Sequence, residues 1–428
     1  MSNEPIPMID PEQLPERTPP IEIGPDFLGA GNIPRGIKLP TGAVWTPALW
    51  VFGDLRTSFN YVDNDEAPEI AESAVRLDIF ANLQLSGTER VLLGMSPLRS
   101  DGDFTSYVFE PDADEGFKNE FNADITTLFF EGEFGEIFPN LDIEDSKSLD
   151  IGFAVGRQPI FFQEGMMFND TIDSIALTRD TVSVRNFSPD TRVTALFGWN
   201  DIDRDDNRED HKAMVFGVFT ETDFRKTTTN FDVALVTSNE RNGGDGLFAG
   251  ASAVQRLGLW NTAFRVNTSI ALETEAASVS DGTLLFGEIS RTLSRSEDIV
   301  YGNFFWAIND YSSAARDATT GGPLARTGLL FESVGLGQYS SALSNRADNV
   351  VGGALGHQIF FNNNRTQLVL ELGGRKGTKK STVDAGAAGF RFQQAVGSRF
   401  VVRLDGYGAI QEHRDGSIGV RTEFMIRI

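Results

Sequence analysis

Arginine and carboxylate recur two residues apart along this 428-residue chain, as in Asp54 and Arg56, Arg76 and Asp78, Arg403 and Asp405, and Arg421 and Glu423, with Arg265 and Arg391 in similar surroundings. A spacing of two puts both side chains on one face of an extended strand. Charges collected on such a face can line a hydrated passage, where their field sorts ions, or they can pair across neighbouring strands. Both roles stay open for each of these residues. Asp201, Asp203 and Asp205 alternate in the same way and offer oxygens suited to calcium, which takes several carboxylate and carbonyl ligands. Asp206 stands where an EF-hand loop needs glycine, so a solvated acidic loop is the competing reading. Hydrolytic chemistry would fall to His413, near Asp415, or to His211; with His357 these are scattered without metal-ligand spacing. Cysteine is absent, which excludes a thiolate metal site and a cysteine nucleophile.

The elements that must position these charges are strands. From Ala48 onward the chain repeats a two-residue rhythm, with Val75, Leu77, Ile79, Ala81 and Leu83 opposing Arg76, Asp78, Asn82 and Gln84. Phe264, Val266 and Ile270 oppose Arg265, Asn267 and Ser269, and Ile418, Val420, Phe424, Ile426 and Ile428 oppose Arg421, Glu423 and Arg427. Asp232 and Glu371 fall on the same polar side. About eighteen strands are predicted, near 48–61, 74–86, 89–98, 123–135, 147–157, 172–185, 191–200, 211–222, 228–238, 247–257, 260–274, 283–294, 298–310, 349–361, 365–375, 383–395, 398–411 and 415–428. A soluble sandwich would alternate too, so the connections decide. Odd-numbered ones are long, above all 99–122 and 311–348, whereas several even ones are as short as Gly87-Thr88, Gly258-Leu259 and Val396-Gly397. That asymmetry predicts an all-β, transmembrane, antiparallel up-and-down β-barrel of about 18 strands spanning 46–428.

Residues 1–45 carry Pro5, Pro7, Pro11, Pro15, Pro19, Pro20, Pro25, Pro34 and Pro40, which reads as an extended periplasmic tail or linker. Such a tail could plug a pore or contact a periplasmic partner; it is too short for a folded plug domain. Met1-Ser2-Asn3-Glu4-Pro5 has neither a basic start nor an apolar core, so outer-membrane placement supposes a processed chain with an added or relabelled Met1. The formal charge of −24 argues against nucleic acid as a partner. No apolar run is long enough for a membrane-spanning helix. Phe at 34 residues against 6 Tyr would supply a lipid-facing belt, the partners there being outer-membrane lipid and lipopolysaccharide.

Val155-Gly156-Arg157-Gln158, then Phe168-Asn169-Asp170 and Asp173-Ser174-Ile175-Ala176-Leu177, resemble the stretch in alginate-export-type outer-membrane barrels where a Gly-Arg-Gln strand end precedes a loop and an Asp-led returning strand. The resemblance covers some twenty residues. It implies an eighteen-stranded barrel with an arginine-lined lumen passing an anionic polysaccharide, and it places Arg157 in the lumen or against an inward-folded loop 158–171. The apolar Pro159, Phe161, Phe162, Met166, Met167 and Phe168 of that loop suit a constriction inside the barrel, or a contact with membrane or a neighbouring subunit. Phe424, Ile426 and Ile428 are similar to the terminal signal read by outer-membrane insertion machinery. Together these readings predict a passive channel for small hydrophilic or anionic solutes, with acidic saccharides as the specific suggestion. A barrel that docks or threads a partner through residues 1–45 is the alternative.

Overall fold

The computed structural model describes residues 19–25, 35–64, 68–141, 143, 149–183, 190–205, 207–239, 243–273, 278–294 and 296–428. Most of the predicted tail, 1–18 and 26–34, and Asp206 lie outside the described residues.

Eighteen antiparallel strands close on themselves. They are β1 Ala48–Asp63, β2 Ile70–Gln84, β3 Arg90–Met95, β4 Ile125–Glu133, β5 Gly152–Phe162, β6 Phe168–Arg179, β7 Asp190–Trp199, β8 Met214–Asp223, β9 Thr227–Thr237, β10 Gly246–Leu257, β11 Trp260–Ala271, β12 Gly282–Thr292, β13 Ile299–Asp310, β14 Asp348–Phe361, β15 Thr366–Gly377, β16 Ala385–Val396, β17 Phe400–Gln411 and β18 Ser417–Arg427. Each pairs with the next, and β18 returns to β1 with Ile418 opposite Asp63 and Arg427 opposite Asp54. The seam ends in a reciprocal pair, Gly53 N–H to the Ile428 carbonyl at 3.1 Å and Ile428 N–H to the Gly53 carbonyl at 2.8 Å. Below it β1 would have a bare edge, and Ile21–Ile23 covers that edge, Ile21 opposite Val51 and Ile23 opposite Leu49. This part of the predicted linker is therefore a strand seated on the barrel, because unpaired backbone groups at a sheet edge take any extended segment within reach.

Burial runs inside out. Arg421 and Asn60 are 0% exposed and Glu423 1%, while Ile410 is 74%, Leu355 70% and Leu372 65% exposed. A soluble sandwich would hide the leucines and show the charges; a barrel in lipid does the reverse. No helix of the described residues is long and apolar enough to cross a membrane, so the strands carry the crossing.

Three strands depart from the predicted bounds. β5 and β6 extend to Phe162 and from Phe168, so the expected loop 158–171 shrinks to the turn 163–167. Pro159 is tolerated in β5 because the neighbouring β4 ends its pairing at Arg157, which leaves the proline nitrogen on a free edge. The third position is split: β3 pairs with Ile79–Gln84 of β2, residues 96–102 turn away, and Asp103–Glu110 resumes against Ala71–Val75. Gly156 carries φ +126°, and a Cβ there would collide with the Leu128 carbonyl. Gly156→Ala is expected to cost about 2–3 kcal/mol, read from the urea midpoint of protein refolded into vesicles; an unchanged midpoint would refute the steric argument.

Candidate functional site

The lumen is filled unevenly. Along β8, β9 and β10 the inward residues Val215, Phe219, Ala234, Val236 and Phe248 are buried, so much of this face is apolar, with Asp232 among them accepting from the Gln163 amide at 2.7 Å. The reason is what they receive. Met167, Phe168, Ala314 and Ala315 pack into one cluster with Ile172, Phe219 and Phe248, and Met166, Tyr311, Leu330, Phe331 and Leu343 into a second with Phe305 and Leu284. The turn 163–167 and the long connection 311–347 thus fold into the barrel and build a dry core against β6–β14.

The opposite wall keeps the charges. Glu423 accepts from Arg56 at 2.7 Å and from Arg403 at 3.3 Å, and is ion-paired with Arg421. Asp405 accepts from Arg391 and from Arg421, each at 2.7 Å. The network reaches the long connection: Arg391 meets Glu332 at 2.7 Å, and Arg56 donates to the Val334 carbonyl at 3.2 Å. Arg76 binds Asp78 at 2.6 Å and the Gly335 carbonyl at 3.0 Å. Glu371 takes the Leu329 and Leu330 amides at 3.0 and 2.8 Å and the Tyr301 hydroxyl. Arg265 is held by Glu288 and by Glu164 at 3.5 Å. Asp54 faces Asp78 across the β1–β2 pair. Of the two roles open in the sequence, the geometry shows pairing, and the pairs on Arg56, Arg76 and Arg391 anchor the inward connection as well.

Between β2–β6 and the inner loops lies a cavity of about 850 Å3. Its lining includes four arginines, Arg76, Arg99, Arg157 and Arg208, and eight carboxylates, Asp78, Asp101, Asp124, Asp170, Asp201, Asp203, Glu209 and Asp317. Arg157 reaches in from β5 and grips Asp173 through two bonds of 3.2 Å, with Asp201 on its other side. Arg99, on the excursion that splits the third position, meets Asp317 at 3.5 Å and the Thr319 hydroxyl at 3.0 Å. A second cavity of about 540 Å3, bordered by Asp310, Asp348, Arg375 and Thr382, opens on the far side of the long connection.

Asp201, Asp203 and Asp205 do not surround one point. Asp201 goes to Arg157, Asp205 accepts the Ser313 amide at 2.7 Å and faces Arg346 at 3.4 Å, and Asp203 joins Asp170 and Asp317, their oxygens within 4.8 Å of one another. Alternate residues of an irregular loop point to different neighbours, and partners arrive from distant segments, Asp201 also lying with Glu209 and His211. Burial, and next the neighbouring Asp317, push the Asp203 carboxyl from 3.8 up to about 6. A raised carboxyl favours the folded loops while protonated, so that contribution is full below about pH 4 and is lost as pH rises through about 6. Hydrogen exchange of the 317–320 amides, corrected for intrinsic rates, is expected to speed up across that window, and Asp203→Asn to abolish the change.

His211 sits 3.0 Å from Glu209 and His413 3.5 Å from Glu412, both on exposed loops. The buried Arg204, bound to Asp210 at 3.1 Å and to the Gly244 carbonyl at 2.9 Å, and Arg316 were not singled out in the sequence, because both lie in segments without periodicity.

The fold of this closed ring of strands is shared with solved structures. OccK2 (OpdF) of Pseudomonas aeruginosa matches with TM-score 0.59 at 10% identity, over 89% of this chain and 97% of that one. The chain has the fold of the porin-like outer-membrane barrels. A BenF-like porin from Pseudomonas fluorescens Pf-5 matches with TM-score 0.57 at 10% identity, covering 88% and 98%. OpdK of Pseudomonas aeruginosa, solved with vanillate, matches with TM-score 0.50 at 11% identity, covering 88% and 98%. No family model and no curated protein matches the sequence. The likeness is to porins, and it lends no particular support to the alginate-export resemblance.

Proposed function

We propose that this barrel is an outer-membrane channel for passive passage of small hydrophilic solutes, with small carboxylates as the favoured class. The cavity between β2–β6 and the inner loops carries the reading: about 850 Å3 is the size of a small-molecule site. Arg76, Arg99 and Arg157 line it, each paired with a protein carboxylate, and a solute carboxylate would exchange with those partners. The same lining holds eight carboxylates, which disfavour a long polyanion, so an acidic sugar would pass as a monomer or short oligomer. Support for the solute class comes also from OpdK, a barrel of this fold solved with vanillate, an aromatic carboxylate. A scaffold role through residues 1–45 has less support, since Ile21–Ile23 is already seated on β1.

The test is planar-bilayer conductance of the folded, purified chain with vanillate or galacturonate on one side. Discrete steps whose reversal potential shows carboxylate current support the proposal. Steps that carry only chloride and potassium remove the carboxylate class, and no steps from demonstrably folded protein overturn the channel.

A further inference from the structure

The two inward segments start from opposite sides of the lumen and meet at one side chain. The turn 163–167 leaves the ladder with Gln163, Glu164 and Gly165 all at positive φ, 52°, 55° and 74°. Its carbonyls point into protein rather than at a neighbouring strand, and a buried carbonyl must find a donor. The long connection supplies them. The Met166 carbonyl accepts the Tyr311 hydroxyl at 3.1 Å, the Ser313 hydroxyl at 2.8 Å and an Arg316 guanidinium nitrogen at 3.4 Å, and the same nitrogen donates to the Gly165 carbonyl. Arg316 is 1% exposed, and its Nε donates to the Ser313 hydroxyl at 3.1 Å. None of these partners is a carboxylate. Beside it the backbones run together as a short parallel pair, Phe168 opposite Ala315 and Asn169 opposite Arg316, with Ala314 N–H to the Met167 carbonyl and Asp317 N–H to the Asn169 carbonyl, both 2.9 Å. From a third side Asn207 donates to the Arg316 and Asp317 carbonyls at 3.3 and 3.2 Å.

We infer that Arg316 is a positioning residue: it fuses the two inward segments into a fixed inner wall, and that wall confines the water path to the cavity between it and Arg76, Arg99 and Arg157. The argument is one of mutual need. A buried guanidinium is tolerated only where its donors are used, and the strained turn offers carbonyls that nothing in the ladder can satisfy. Arg316 touches no solute in this arrangement; it acts through the loops it joins. The inference rests on the channel reading given above, but one of its readouts does not.

The chain lacks cysteine, so Ala315→Cys introduces a single thiol at a position that is 0% exposed. In the native background this thiol is expected to resist a membrane-impermeant methanethiosulfonate reagent. With Arg316→Met added, it is expected to react, and the single-channel conductance of Arg316→Met is expected to rise about twofold or more as the wall loosens. Arg316→Lys keeps a donor and should return both readouts toward native. Folding is checked by heat-modifiable migration. If Arg316→Met does not fold, Tyr311→Phe with Ser313→Ala removes two donors from the Met166 carbonyl and takes the same two readouts. A folded variant with an unreactive thiol overturns the latch, and a reactive thiol with native conductance overturns its part in confining the path. Should the native chain form no pore, thiol reactivity still decides whether Arg316 holds the segments together, so the two failures are distinguishable.

Discussion

Arg421→Met is expected to destabilise the barrel by about 3 kcal/mol, the low end of what breaking a buried ion pair costs. Arg421 is 0% exposed on the inward face of β18, between Asp405 at 2.7 Å and Glu423. Methionine fills much of its volume, so the loss reports charge rather than a cavity. The cost stays at the low end because neither carboxylate is abandoned: Arg391 still holds Asp405, and Arg56 and Arg403 still hold Glu423. The opposite regime is present in the same molecule. Arg192, with a side chain 55% exposed beside Asp180 and Glu221, should lose less than about 1 kcal/mol on replacement by alanine, as exposed pairs do. Urea unfolding of both variants in vesicles gives the comparison; equal midpoints would mean that the wall network is solvated and contributes no more than a surface pair.

Those charges were legible because the strand period is two and lipid enforces it. Arg421 and Glu423 must share a face, and with Ile418, Val420 and Phe424 opposite, that face had to be the inner one. The same logic located β11, with Phe264 outward and Arg265 buried, and the alternation of long and short connections separated a barrel from a sandwich. The individual partners were not legible. Arg403 bonds Glu423 on the next strand rather than Asp405 two residues along its own, because the ladder sets Arg403 opposite Glu423, and register is a property of two segments.

What the inner loops do could be read only where composition betrayed it. Phe162, Met166, Met167 and Phe168 are too apolar for a free loop, and they are indeed packed inside. The long connection 311–347 gave no such sign. Its glycines, serines and threonines read as an external loop, yet Thr327 and Ser313 are 0% and 1% exposed, Ser313 being held by Asp205 and Met166, more than a hundred residues away in sequence. The apolar inward faces of β8–β10 are the complementary trace of that burial: Met214-Val215-Phe216-Gly217-Val218-Phe219 is apolar on both sides, and a strand apolar on both faces has protein on one and lipid on the other.

The largest functional effect is expected from the cavity's own arginines. Replacing Arg76, Arg99 and Arg157 together by glutamine leaves the eight carboxylates of the lining and one arginine, Arg208. A unit charge several ångströms from a permeating ion in a water-filled cleft contributes about 0.5 kcal/mol after screening, and low-dielectric walls concentrate the field. Three such charges give about 1.5 kcal/mol for an anion and the same with opposite sign for a cation, so the anion-to-cation permeability ratio should fall on the order of a hundredfold. Reversal potentials in asymmetric potassium chloride measure it directly. Asp170, Asp203 and Asp317 replaced together by asparagine should move the ratio the other way, since all three face the same space. Opposite shifts from the two triple variants would place the permeation path in this cavity; unchanged ratios in both would place it elsewhere, the smaller cavity beside Asp310, Asp348 and Arg375 being another opening.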